Sequence, residues 1–172
     1  IMKALINVIG KSGSGKTYLI RNAIKKLKET LGFDSAVFKY IHEHQIDKEG
    51  SDSYLYGMAG ANYSITKNTY DETVIFLKKK ISIKELSNWI QKGPFNIDII
   101  FTEGFRSLEA PTILCIKDGD TLEEQLNENV KMISGLICNN PTKLKNYGNI
   151  ALPVIDIEKD FDSFLQIFNL IE

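Results

Sequence analysis

Short apolar runs alternate along the chain with longer segments whose apolar residues recur every three or four positions, the pattern of a parallel sheet covered by helices. Residues 4–9 (Ala-Leu-Ile-Asn-Val-Ile) predict the first strand. After a glycine-rich turn, Leu19, Ile20, Ala23, Ile24, Leu27 and Leu31 share one helical face, and Gly32 is placed to end the helix. Residues 35–41 predict a second strand, and the polar stretch from His42 through His44, Asp47 and Gly50 to Asp52 predicts a loop. A short helix over 54–61 follows, then strands over 62–66 and 72–77 that suit antiparallel neighbours at a sheet edge. Ser82 and Glu85 spell a capping box ahead of a helix carrying Ile83, Leu86 and Ile90, which Gly93-Pro94 stops. Residues 97–101 predict a central strand, with further strands at 112–116, 132–138 and, more weakly, 150–155. Thr121 and Glu124 open a short helix between 116 and 132, and Phe161, Phe164, Leu165 and Phe168 mark a closing one.

The first turn carries chemistry. Gly10-Lys11-Ser12-Gly13-Ser14-Gly15-Lys16-Thr17 fits G-x-x-x-x-G-K-[ST] at every fixed position, with a strand before it and a helix after it. Small residues let successive backbone N–H groups wrap a phosphate at the start of the helix, where the helix dipole also favours an anion. Lys16 would reach the β- and γ-phosphates and Thr17 would offer a hydroxyl to Mg²⁺. The fold class expected is therefore α/β, a three-layer P-loop NTPase fold: a mostly parallel sheet with helices on both faces and an added antiparallel hairpin. A length of 172 residues without repeat or composition break suits one domain, with residues 62–80 as the hairpin insertion.

Charge and composition narrow the partners. A formal net charge of -1 gives no general pull towards nucleic acid or anionic membrane, so an anion site must be local. No apolar stretch approaches the roughly 20 residues of a membrane span, and the amino-terminal residues lack a signal-peptide pattern, which points to the cytoplasm. Cys115 and Cys138 lie inside apolar runs and read as buried, reduced thiols.

A Mg²⁺ site needs an acidic group beside Thr17. Glu103 ends an apolar strand and is followed by Gly104, so its carboxylate emerges at the sheet edge where the phosphate loop lies. Asp98 starts the same strand, about 16 Å away at roughly 3.3 Å per residue, and is at the wrong end. Asp47 and Gly50 have the D-x-x-G spacing of a switch loop, and Arg106, Lys39 and Lys11 are candidate anion contacts or solvated charges. His42 and His44 flank Glu43 without an assured third ligand, so a polar loop is favoured over a metal site. Lys78-Lys79-Lys80 reads as a solubilising sheet edge. Asn139-Asn140-Pro141-Thr142-Lys143 does not match the Asn-Lys-x-Asp order that reads guanine, so no base preference follows from these residues.

Three stretches taken together resemble the MobB family, the molybdopterin-guanine dinucleotide biosynthesis adaptor proteins. They are the phosphate loop, VFKYIHEHQIDKEGSDSYLYGMAGA over residues 37–61, and IDIIFTEGFR over residues 97–106. The more specific part is the series Lys39, His42, His44, Asp47, Gly50, Asp52, Ser53 followed by Glu103 and Arg106; the likeness covers about the first two-thirds of the chain and fades after Pro111. The resemblance implies a protein that binds GTP with Mg²⁺, hydrolyses it weakly at most, and forms a homodimer through added β-structure. It also implies assistance to the nucleotidyltransferase MobA as GMP is attached to molybdopterin, with the Lys39 to Ser53 segment and Arg106 facing substrate or partner. Gln45 and Met58 stand where relatives often carry a histidine and a basic residue. Two other readings stay open. One is a small-molecule or nucleotide kinase using Asp47 or Asp52 as base, against which no arginine occurs between Tyr54 and Pro94; the other is a nickel-loading GTPase using His42 and His44.

Overall fold

The computed structural model describes residues 2–140, 142–143 and 151–171. They divide into two compact units, one made of the chain up to Tyr40 and from Ile90 onward, the other of Ile41–Trp89.

The larger unit is built on five parallel strands in the order β2-β5-β1-β6-β7. They are β1 (Ala4–Ile9), β2 (Ser35–Lys39), β5 (Ile99–Glu103), β6 (Thr112–Cys115) and β7 (Val130–Ser134). Strands β5 and β6 are buried at every position, as expected of a parallel sheet whose faces are both covered. Helix α1 (Lys16–Leu31) and the closing helix α4 (Phe161–Ile167) contribute to one apolar cluster on a single sheet face. Ile6, Val8, Ile99, Phe101, Ile113 and Met132 meet Leu19, Ala23, Leu27 and Phe164 there. Each of these side chains larger than alanine contributes about 1.5–3 kcal/mol by leaving water. Alternation along the strands sends Ile9, Leu114, Ile116 and Ile133 to a smaller cluster closed by Leu122 and Ile137.

Three expectations need correction. The strand expected over 132–138 ends at Ser134, because Gly135 takes φ 95 and turns the chain; Leu136–Asn139 then forms a 3₁₀ turn. The helix expected from Thr121 is a single turn at 122–125, closed by the Gln125 and Leu126 amides on the Leu122 carbonyl. The central strand begins at Ile99, since Asp98 is used to tie strand starts: its Oδ2 accepts from the Asp34 amide at 2.9 Å and its carbonyl from Lys3 at 2.7 Å. The weak strand expected over 150–155 starts outside the described residues and contributes a parallel bridge, Val154 to Ile133.

The smaller unit holds α2 (Asp52–Met58), an antiparallel hairpin of β3 (Ser64–Lys67) and β4 (Thr73–Phe76), and most of α3 (Ile83–Gln91). The Ser82–Glu85 box closes as expected, with the Ser82 amide donating to Glu85 Oε2 at 2.9 Å and the Glu85 amide to Ser82 Oγ at 3.2 Å. No apolar side chain between Ile41 and Trp89 is fully buried, while Tyr56, Met58, Ile65 and Tyr70 are at least 60% exposed.

Candidate nucleotide site

The phosphate loop leaves the carboxyl end of β1 and enters α1, between strands that run to opposite sides of the sheet, the place where open parallel sheets bind ligands. Helix α1 has no side-chain cap and no acidic residue in its first turn, so the amides that Ser, Asp or Asn would ordinarily satisfy are left to an anion. Gly10 is required by crowding as well as by its φ of 145, since a Cβ there would lie 2.2 Å from the Cys115 carbonyl oxygen.

Lys16 donates from Nζ to the carbonyls of Gly10 and Lys11, both at 2.9 Å, which holds the ammonium over the loop it follows. Burial lowers its pKa below an ordinary lysine's; Glu103 and Cys115 oppose the shift, and Arg106 and Lys39 add to it. A dianionic phosphate reverses that balance. Thr17 Oγ1 stands 3.2 Å from each carboxylate oxygen of Glu103, and Lys39 Nζ is 3.4 Å from Glu103 Oε1. Strand register explains the meeting, because Glu103 is opposite Val8 on β1 and Lys39 on β2. A hydroxyl and a carboxylate at one point are hard oxygen donors that suit Mg²⁺, which keeps waters and phosphate oxygens as its other ligands. The cavity they line, with Ser12 and Gly15, spans about 660 Å³ including its open mouth.

The loop after β5 is anchored through a buried polar cluster. Thr102 Oγ1 donates to Asn7 Oδ1 at 2.8 Å, and Asn7 Nδ2 donates to the Phe105 carbonyl at 3.0 Å and to Thr112 Oγ1 at 3.3 Å. These bonds tie three strands together and fix the chain between Glu103 and Arg106. Arg106 itself is exposed, close enough to lower the pKa of Lys16.

The other predicted residues fall into two groups. Lys11 Nζ stands 3.9 Å from Glu124 in an exposed pair; Ser14 is buried, and Gly13 takes φ 71 within the loop. His42, His44, Asp47, Gly50, Asp52 and Ser53 belong to the smaller unit. There Asp47 is buried and bonded to Ser53 Oγ at 2.7 Å, Ser51 Oγ at 3.2 Å and Lys78 Nζ at 2.9 Å. Burial raises the Asp47 pKa, and the bonds from Lys78, Ser53 and Ser51 outweigh it, leaving the carboxyl below its ordinary value. Lys78 is thus an ion-pair partner rather than only a solubilising edge charge. His42 and His44 are exposed, and among the described residues no group of three His, Cys, Asp or Glu is arranged to hold a metal ion.

Two supports of the phosphate loop lie far from it in sequence. Lys117, just past β6, donates from Nζ to the Ser12 carbonyl at 2.9 Å. Gly135, just past β7, lets the Leu136 amide donate to the Ser14 carbonyl at 3.0 Å. A lysine after a buried strand and a glycine inside an apolar run were the available signals.

The family model described as MobB, Molybdopterin guanine dinucleotide synthesis protein B, matches residues 5–139, so the likeness continues past Pro111. The molybdopterin-guanine dinucleotide biosynthesis adapter protein of Haemophilus influenzae is 32% identical over 113 residues, which cover 64% of this chain and 61% of that protein. Among solved structures, Bacillus subtilis MobB superposes with a TM-score of 0.70 at 20% identity, covering 95% of this chain and 97% of that one. The MobB homologue of Bacillus stearothermophilus gives 0.61 at 15% identity, with 96% of each chain covered. Among the described residues no helix is long and apolar enough to cross a membrane.

Proposed function

The chain belongs to the MobB family, and on that premise we propose that it is a Mg-GTP-binding adaptor assisting a MobA-type nucleotidyltransferase as GMP is attached to molybdopterin. The observation that carries the nucleotide part is the convergence of an uncapped α1 N-terminus, Lys16, Thr17 and Glu103 at one sheet edge. Loop amides and Lys16 bind the β- and γ-phosphates, while Thr17 and Glu103 hold Mg²⁺, which neutralises phosphate charge when bound. Lys39 and Arg106 supply further positive charge on the γ-phosphate side. The segment from His42 to Ser53 faces molybdopterin or the transferase.

The smaller unit is the dimer surface in this reading. Its hairpin places Ile65 opposite Ile75 on one face, 63% and 37% exposed, and an isolated two-stranded hairpin is only marginally stable in water. A second copy that extends the hairpin covers both.

Calorimetric titration tests the first step. Mg-GTP binds the wild-type chain, and Lys16→Ala loses that binding while keeping its fold; equal affinity in the two proteins, or no binding in either, removes the basis of the reading.

A further inference from the structure

We infer that the cleft between the first turns of α1 and the turn following Val154 seats the base of the nucleotide, and that Asp156 reads a guanine edge there; the inference rests on the nucleotide-binding reading above. The cleft spans about 390 Å³ including its open part, and Tyr18, Asn22, Leu136, Asn139, Asp156 and Glu158 are among its lining residues.

Position argues first. The phosphate cavity and this cleft share Gly15, Tyr18 and Leu136, so one continues into the other across the start of α1. A nucleotide with its β- and γ-phosphates on Lys16 and Thr17 runs its α-phosphate and ribose past the next residue, Tyr18. On the other side of Thr17 stand Glu103 and Lys39, a charged surface suited to metal and terminal phosphate and not to a ring. The cleft offers the opposite balance. Tyr18 and Leu136, 57% and 43% exposed, line it together with Leu19 and Ile157, apolar surface of the kind a ring packs on, with Asn22, Asn139 and Asp156 as polar groups beside it.

The chemistry of the edge argues second. Both carboxylates at the cleft are bonded, but differently. Glu158 receives the Tyr18 hydroxyl at 2.9 Å and the Asn22 amide at 3.3 Å, and its carbonyl receives Lys26 at 3.1 Å, so it braces α1. Asp156 uses Oδ1 to accept the Glu158 amide at 3.1 Å, and among the described residues its Oδ2 meets the Lys159 ammonium at 2.9 Å. Lys159 is 73% exposed and Asp156 22%, so the ammonium that covers Oδ2 lies on the solvent side, where another donor can replace it. The backbone below is fixed: the Ile155 amide donates to the Ile133 carbonyl at 2.9 Å, and Ser134 Oγ donates to the Ile155 carbonyl at 2.6 Å. Asp156 is thereby held two residues beyond the bridge residue Val154, at the same sheet edge as the phosphate loop. Guanine presents two adjacent N–H donors, N1–H and the 2-amino group, which suit a carboxylate; adenine places a ring acceptor there, which a carboxylate repels.

The test compares Mg-GTP, Mg-ATP, Mg-XTP and Mg-tripolyphosphate on the full chain by calorimetry. Asp156→Asn keeps an acceptor for the Glu158 amide and replaces the reading carboxylate by an amide. It is expected to lower GTP affinity about 10- to 100-fold and to shift preference towards XTP, whose C2 carbonyl accepts from the amide, with tripolyphosphate affinity unchanged. Lys159→Ala, a change at an exposed position, is expected to raise GTP affinity about two- to five-fold relative to ATP by removing the competing cation. A wild type that binds GTP while both variants keep its GTP:XTP and GTP:ATP ratios overturns the base site and leaves the nucleotide reading standing. A wild type that binds no nucleotide overturns both.

Discussion

Replacing Gly135 by alanine measures how closely the phosphate loop leans on the segment after β7. Gly135 has φ 95 and ψ -158, a conformation nearly confined to glycine, and holding an alanine there costs about 1–3 kcal/mol. The added Cβ would lie 2.4 Å from the Ser14 carbonyl oxygen and 3.0 Å from both Cys115 Cβ and the Ile116 amide nitrogen. Backbone cannot swing aside as a side-chain tip can, so relief requires the phosphate loop to retreat from Leu136. That movement forfeits the 3.0 Å bond from the Leu136 amide to Ser14, worth about 0.5–1.5 kcal/mol. Together the substitution destabilises the chain by roughly 2–4 kcal/mol, a midpoint shift of about 1–2 M in urea for a slope near 2 kcal/mol/M. Mg-GTP affinity falls at least about tenfold, because loop amides must stay within hydrogen-bond range of the phosphates. Gly119→Ala separates strain from collision, since Gly119 also has positive φ (79°) but has nothing within 4 Å of a Cβ; it should cost only about 1 kcal/mol and leave nucleotide affinity alone. A Gly135→Ala protein as stable as the Gly119→Ala protein, with unchanged affinity, refutes the reasoning.

The remaining predictions concern the same unit. Nucleotide affinity should fall at alkaline pH before an ordinary lysine titrates: Lys16 has a lowered pKa from burial, bound phosphate favours its charged form, and binding therefore takes up a proton once pH reaches that range. Affinities followed from neutral to alkaline pH check this, and a decline that persists in Lys16→Arg would assign it elsewhere. Asn7→Leu removes the partner of the buried Phe105 carbonyl and Thr102 hydroxyl and should cost about 1–3 kcal/mol in urea unfolding; its effect with Thr102→Val should be strongly non-additive. Burial pushes the Cys115 thiol up to about 12, so in the native chain at pH 8 it should resist alkylation that proceeds rapidly in urea. Mass spectrometry of the alkylated chain shows whether it does.

Where one local pattern sufficed, the chain was legible. Residues 4–9 and the Gly32 stop came out as expected, as did the Ser82–Glu85 box, and Thr17 and Glu103, singled out from the sequence, stand 3.2 Å apart. Leu136-Ile137-Cys138 misled because a short apolar run reads equally as strand or buried turn, and only the contact with Ser14 decides in favour of the turn. Thr102 and Glu103 are polar yet fully inside β5, so the apolar pattern at 97–101 set that strand two residues too early. Lys117, Gly135 and Asp156 were not singled out, because each acts across the sheet edge on residues more than a hundred positions away or through a turn that no periodicity marks. The hairpin was legible as two strands, but the exposure of Ile65 and Ile75 is set by tertiary packing that no local pattern records.

Guanylation of molybdopterin by a partner transferase, followed with and without this chain at fixed Mg-GTP, tests the adaptor reading most directly. The wild-type chain is expected to raise the yield of molybdopterin guanine dinucleotide, and Lys16→Ala is expected not to. A yield that stays flat as wild-type chain is added, under conditions where calorimetry shows it loaded with Mg-GTP, would contradict it.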